Sequence, residues 1–568
     1  MKKINLCILG LFCSIATSFA QEIDSLNTQV INVKTSYNPQ VEEAYRIQSD
    51  VNNADLETAK PQTLNYQILP VTVASTFNPQ KGSIYKLPIF ERPRDFQNYL
   101  YTGYGSNGLP EFIGLFQKQA GEQYFDLSTF YYGAQNGIPD LTQDAISHRG
   151  DLKLSHQTEG KLIHWNNALS YSFRGQTWYG TPTTINEQDL DLINQLHNSQ
   201  GVALNLKADF QDFFFQKSHL DIQTNFDNFD SQEFITNLGI GWDLEWNDTE
   251  VQIPLNFRYQ NTSFARTYAD PEIDNPYTYQ NFDMSTGASL AWSSWNKFYL
   301  SAGFDMHFFQ DLNSSEGNFY FIPEVLARFN ASDSFVLGAQ LKGDFNPNSI
   351  GQFNHMNPYL APSYDLKPTY SSYDAQVQFA SSFSNRFELG LNIGYKNTED
   401  QVVFSKNEAL VNPVYAYQFG NSFQALYDGV KTTYFEFLVE GQLTDELLLE
   451  FSAQYNDYQM ETLDYFYNQA PFKSFLRLNY QGAKWDSQFT LFGNSKSYDR
   501  YMQAGAIDYD LVENEGFVDI NLQFNYHFSR QFSVHLKLNN LLNNNYQEFS
   551  DYQTQGFQIL GGLSYKFN

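Results

Sequence analysis

The nine histidines are the first residues to test for chemistry. His148 and His156 share one candidate strand, while His307, His355, His527 and His535 stand apart. None has the helix-borne spacing of a zinc protease, and no glycine-rich loop runs into Lys-Ser/Thr. A Gly-x-Ser-x-Gly elbow is missing, and Ser147-His148 is a lone pair of neighbours. His527 and His535 are predicted to lie across one hairpin, which suits either pairing or a metal. A solvated wall histidine is the plainer expectation. Catalytic, cofactor and metal sites are therefore all expected to be absent, and an enzyme is not expected.

Cysteine chemistry is removed by position. Cys7 and Cys13 both fall within residues 1–20, whose Lys2 and Lys3, apolar Leu6 to Ile15 and Ser18-Phe19-Ala20 form a signal peptide pattern. Cleavage is expected between Ala20 and Gln21, with export through the general secretory route. Phe12 precedes Cys13 where a lipobox needs a small residue. The mature chain then lacks disulfides and thiolate ligands, and its formal charge moves from −29 to −31.

Composition narrows the class of fold. Charged residues make up 17% of 568, below the roughly 25% of ordinary domains. Aromatics also reach 17%, as 51 Phe, 39 Tyr and 7 Trp, yet mean hydropathy is −0.47. Beyond residue 20, no run approaches the roughly 20 apolar residues of a spanning helix. The acidic balance argues against nucleic acid, which needs a basic face. Many aromatics, few charges and a polar average fit a wall with one apolar and one polar side.

Alternation supports this expectation. Val518, Ile520, Leu522, Phe524, Tyr526 and Phe528 share one face, against Asp519, Asn521, Gln523, Asn525 and His527. Phe532, Val534, Leu536 and Leu538 repeat the pattern, as do Phe435, Phe437 and Val439 and then Leu447, Leu449 and Phe451. Period two over ten or more residues suits a tilted membrane strand of about 9–11 residues. Ten short turns are expected: Gln119–Glu122, Thr158–Gly160, Asp212–Gln216, Asn247–Thr249, Ser293–Asn296, Ala331–Asp333, Ser384–Asn385, Thr444–Glu446, Gly482–Lys484 and Ser529–Gln531. Between them run long aromatic and acidic segments such as Arg174–Ser199, Asn346–Tyr370 and Ser495–Asn514. Ten turns and eleven loops join 22 strands, within a range of 20 to 24. Lys396–Asn421 is taken as a strand extension and outer loop, with a hidden hairpin as the alternative.

The expected fold is thus all-β: a transmembrane antiparallel β-barrel over residues 96–568, in contact with outer-membrane lipid. Aromatic girdles account for the Phe and Tyr. Inward Glu436, Glu440, Glu450, Asp486 and Asp519 make an acidic lumen, balanced by Lys537, Lys566 and Arg477. Residues 21–95, with Pro39, Pro61, Pro70, Pro79, Pro88 and Pro93, suit an extended N-terminal periplasmic segment.

The C-terminal fifty residues resemble the end of a TonB-dependent receptor barrel. Val534-His535-Leu536-Lys537-Leu538-Asn539-Asn540-Leu541-Leu542-Asn543, then Tyr546, resembles the "N-L-F-N-x-x-Y" cap of the penultimate strand. Leu563-Ser564-Tyr565-Lys566-Phe567 resembles the closing "Y-x-F", here followed by Asn568. The signature positions are therefore Asn540, Leu541, Asn543, Tyr546, Tyr565 and Phe567. The resemblance implies 22 strands, an outer-membrane location and uptake of a small-molecule or peptide cargo. It also implies a plug of well over a hundred residues, which residues 21–95 are too few to supply. Something else should fill so wide a lumen: that segment, folded-in loops such as Asn346–Tyr370, or another protein. The alternative function is a plug-less structural subunit, with envelope proteins docking on the N-terminal segment or outer loops.

Overall fold

A computed structural model describes residues 97–568, apart from 183, 184, 212, 247, 248, 269–276, 295, 296, 315, 385 and 504. The signal, its Ala20–Gln21 junction and residues 21–95 lie outside the described residues. So do parts of four expected turns, Asp212, Asn247, Asn296 and Asn385 among them.

Twenty-two antiparallel strands form one sheet that closes on itself. The first, Asn98–Gly105, pairs both with the second, Leu109–Ala120, and with the last, Gln558–Phe567. Every other strand pairs with its sequence neighbours in the barrel, an up-and-down order that leaves no edge for another chain. The ten connections at one end of the barrel are two to six residues long and fall at or beside the expected turns, because so short a segment between alternating runs can only reverse the chain locally. Both barrel termini lie at that short-turn end, since Asn98 is opposite Phe567.

Burial is inverted relative to a globular core. On the twentieth strand, Phe517–His527, Asp519 is 1% exposed while Val518 is 44% exposed. The sixteenth, Phe423–Gln442, buries Glu436 and presents Phe435 and Phe437. Polar residues inside and aromatics outside are stable only where the outer medium is apolar, so the wall faces lipid. Among the described residues no helix is long and apolar enough to cross a membrane, and strands make the crossing.

The fifteenth strand, Phe387–Lys406, and the sixteenth are each 20 residues long. At about 3.4 Å per residue and a tilt near 40°, they rise about 50 Å, twice an apolar band of about 25 Å. The Lys396–Asn421 stretch is thus a strand extension to Lys406 followed by a loop, with no extra wall hairpin. These tall strands hold the long loops above the lipid.

The closing seam is fixed by side chains. Lys537 on the twenty-first strand, Phe532–Asn539, reaches past two strands to Glu111 at 2.6 Å, and Tyr101 Oη donates to the same carboxylate at 3.0 Å. The Tyr101 ring crosses the face of Gly562, where an added Cβ would meet it at 2.6–2.8 Å. Glycine is required there because the ring occupies a side chain's place.

Candidate functional site

The long loops do not stand apart; they join over the mouth. The loop after the thirteenth strand (Phe335–Asn346) carries a short helix, Ile350–Met356, started by Ser349, whose Oγ accepts from Gln352 N at 3.1 Å. Glu233, on the eighth strand (Gln232–Trp246), accepts from the N–H groups of Ile350 and Gly351 at 2.9 and 3.3 Å. Gln260, on the ninth strand (Thr249–Phe264), donates to Asn348 O at 3.1 Å. Arg174, on the fifth strand (Ile163–Gln176), donates to Asn354 O at 2.7 Å.

The same loop then reaches the far wall. Ala361 N donates to Phe423 O and Phe423 N to Tyr359 O, both at 3.0 Å, at the top of the sixteenth strand. The fifth and sixteenth strands are half the ring apart, so this loop spans the mouth. A second tie runs alongside, from Asn421 Nδ2 to Trp178 O at 2.6 Å. Tyr552, in the loop before the final strand, donates to Asn421 O, and Lys406 pairs with Asp551. Together these segments form a roof.

The roof has a core of its own. Phe264, Phe309, Phe353, Leu360, Tyr364, Phe404, Phe423 and Tyr552 are buried in one cluster, and Trp178, Phe229, Ala361 and Tyr417 in another. Trp178 stacks on His197 with ring centres 4.8 Å apart and donates from Nε1 to Tyr359 O at 3.1 Å. A small hairpin, Ser497–Tyr501 with Asp510–Asn514, adds Asp499, which accepts from Asn468 Nδ2 at 2.9 Å and Arg500 N at 2.8 Å. Burial pushes the Asp499 carboxyl up to about 6, against the opposing pull of those donors and of Lys406. Tyr179, Tyr364 and Tyr552 are likewise held well above the ordinary phenol range by burial.

Of the barrel-end signature, Asn540, Leu541, Asn543 and Tyr546 lie at the long-loop end and Tyr565 and Phe567 at the short-turn end. Asn540 and Asn543 hold left-handed backbone (φ 49° and 53°), which asparagine tolerates. Asn540 Nδ2 donates to the carbonyls of Asn544 and Gln555 at 2.7 and 2.9 Å, and Asn543 Oδ1 accepts from Phe557 N at 2.8 Å. Tyr546 stacks on Phe517 at 3.8 Å and donates to Asp519 at 2.9 Å. Leu541, Tyr565 and Ile559 face outward, and Tyr565 stacks on Phe567 at 5.7 Å. These contacts shape a turn and the end of the wall.

His527 and His535 do not share a ligand. His535 faces Asn525 and Ser564, each at 2.6 Å, whereas His527 faces Ser533 at 2.7 Å and pairs with Asp486. Among the described residues no group of three or more acidic, histidine or cysteine side chains has the arrangement to hold a metal. Of the inward carboxylates, Glu450 pairs with Arg477 at 2.7 Å, and Glu436 accepts from Asn392 Nδ2 at 2.7 Å. Glu440 is exposed, near the short-turn end. Lys537 and Lys566 are buried on the inner face.

The fold is a closed 22-strand antiparallel barrel, and solved structures share that fold. FrpB, titled an iron transporter from Neisseria meningitidis, superposes with a TM-score of 0.62 at 11% identity, over 83% of this chain and 81% of that one. Fiu, titled a ferric-catecholate import receptor from K12 E. coli, gives 0.60 at 10%, over 84% and 82%. The ferripyoverdine receptor of the Pseudomonas aeruginosa outer membrane gives 0.60 at 12%, over 83% and 72%. At such identities the likeness is one of fold. No protein-family model and no curated protein matches the sequence.

Proposed function

We propose that this protein is an outer-membrane receptor of the TonB-dependent type, which binds a small solute or peptide at its long-loop end and admits it when the roof opens. The observation carrying this reading is the roof: a polar-lined, lipid-facing barrel whose mouth is bridged by its own loops. Its fold neighbours support uptake, being titled transporters or receptors for iron, ferric catecholate, copper and ferripyoverdine. On this reading the chain is exported, cut between Ala20 and Gln21, and residues 21–95 enter or cap the periplasmic mouth. The inner wall binds and orients cargo and performs no catalysis.

The test is accumulation of iron chelates, copper chelates and short peptides by cells with and without the gene. At least one solute should accumulate less in the deletion and recover on complementation. Unchanged accumulation across all three classes overturns the reading. One observation favours a second role, as a subunit of a larger envelope assembly. Val411 (75% exposed) and Ile507 (94%) project from neighbouring loops linked by Ala409 N to Met502 O. Exposed apolar groups on a loop surface suit a protein contact, and a stoichiometric partner in gentle-detergent preparations from native membranes would establish it.

A further inference from the structure

The lipid-facing wall carries a groove of about 760 Å³ at the short-turn end, beside the closing seam. It runs from the second strand to the sixth, across the third (Gln123–Gln135), the fourth (Ile146–Glu159) and the fifth, the sixth being His197–Phe210. Directly paired residues share a face, so the register sorts the lining into rungs. Lys118, Phe125, His156 and Asn167 are successive cross-strand partners and form one rung. Leu127, Leu154, Leu169 and Leu204 form the next. Phe125, Leu154 and Leu169 are exposed, which puts both rungs on the outer face.

The two rungs differ in depth. Leu127 is two residues further from its turn than Phe125, so the leucines lie about 5 Å deeper at 3.4 Å per residue and a tilt near 40°. Exposed Trp165 stands two residues nearer the turn than Asn167, and Phe213 and Phe214 are exposed in the adjoining turn, with Phe214 edge-on to Trp242 at 6.0 Å. Aromatic side chains of this kind gather at the bilayer interface, so the Lys118 rung sits at headgroup depth and the leucines at acyl depth.

The polar rung is open to a ligand. Lys118 is exposed and makes no ion pair among the described residues. Asp126, the acid in the lining, alternates with outward Phe125 and Leu127 and therefore points to the lumen side. His156 is held by stacking on Phe125 with ring centres 4.8 Å apart. Asn167 Oδ1 is buried yet accepts no hydrogen bond, which is costly unless a donor reaches it.

We propose that this groove holds one glycerophospholipid of the adjoining leaflet. Its phosphate sits on Lys118 and His156, a headgroup N–H or O–H donates to Asn167 Oδ1, and an acyl chain lies along the leucine rung. An ammonium pairs with a phosphate through strong charge-assisted hydrogen bonds, and the leucines supply dispersion contacts over the chain's length. The site stands whether or not the barrel carries a cargo.

The experiment is native mass spectrometry of the delipidated full-length chain in non-ionic detergent. The protein is titrated with dioleoylphosphatidylethanolamine and, separately, with dioleoylglycerol, which has the same tails and no phosphate. One phospholipid per chain should bind ahead of all others, at least tenfold more tightly than dioleoylglycerol. K118E should weaken that first lipid at least fivefold, whereas K484E, the same charge change in the exposed turn 482–484, should leave it within twofold. L169S should weaken both probes alike by removing tail contacts. Stepwise binding with no preferred first lipid, equal affinity for the two probes, or a K118E effect no larger than that of K484E overturns the proposal.

Discussion

Replacing Trp178 by alanine should open the roof without opening the wall. The indole is fully buried, stacked on His197 and edge-on to Phe229 and Tyr417 at 5.5 Å, with Nε1 donating to Tyr359 O. Truncating so buried a ring costs about 3–5 kcal/mol, including the carbonyl left without its donor. None of that cost falls on strand pairing, because Trp178 lies beyond the fifth strand, in the loop. The loss therefore appears as a larger open fraction of the roof, by about 10² to several times 10³ at 1.4 kcal/mol per tenfold. Where opening is fast relative to cleavage, proteolysis tracks that fraction. The assay is the cleavage rate within residues 347–368 and 407–422 of detergent-solubilised protein, with heat-modified gel mobility reporting the intact barrel. W178F, which keeps a ring but loses the donor, should rise only about fivefold, for about 1 kcal/mol. Cleavage of W178A within twofold of the parent, with the barrel intact, would refute the packing argument.

Three further outcomes are expected. Burial raises the Asp499 carboxyl to about 6, so the closed roof holds a proton that an opened loop releases at lower pH; stability is fullest below about 4 and is lost as pH rises through about 6. Hydrogen-exchange protection of the Ser497–Asn514 hairpin should thus be larger at pH 5 than at pH 8, and D499N should flatten the difference; the reverse order contradicts the assignment. K537M leaves Glu111 buried without its cation and should cost about 3–5 kcal/mol, seen as a lower gel-shift temperature, with E111Q/K537M recovering most of it. G562A drives a methyl into the Tyr101 ring and should cost about 1–3 kcal/mol in the same assay, relieved by the companion change Y101A.

The wall was legible because period two is a local property. Val518 to Phe528 against Asp519 to His527 states which face meets lipid, and polar turns such as Thr444–Glu446 fix where the chain reverses. The roof was legible only in part, as the expectation that a loop such as Asn346–Tyr370 folds in; its ties were not, because they join residues far apart, as Trp178 to Asn421 across 243 positions, and no periodicity encodes such a meeting. Its two hairpins are also short: strands of five residues in Ser497–Tyr501 with Asp510–Asn514, and of three and two in Gln547–Phe549 with Tyr552–Gln553, give alternation too little length to register. One signal was present and overlooked: Ser349 and Gln352 have the Ser-x-x-Gln spacing of a helix start. The register of one hairpin was missed by a small displacement: the chain reverses at residues 160–162 and not at Thr158–Gly160, and it is that placement which brings Arg149 opposite Arg174.

The central claim is that the loops bind opposite walls together over the mouth, and the amides of Ala361 and Phe423 report on it most directly. Each donates across that junction at 3.0 Å, Ala361 to Phe423 O and Phe423 to Tyr359 O. Hydrogen exchange of the full-length chain in detergent should show both amides protected to a degree comparable with the wall strands. Exchange of both at the rate of an unstructured loop would contradict the roof, and with it the gated barrel proposed here.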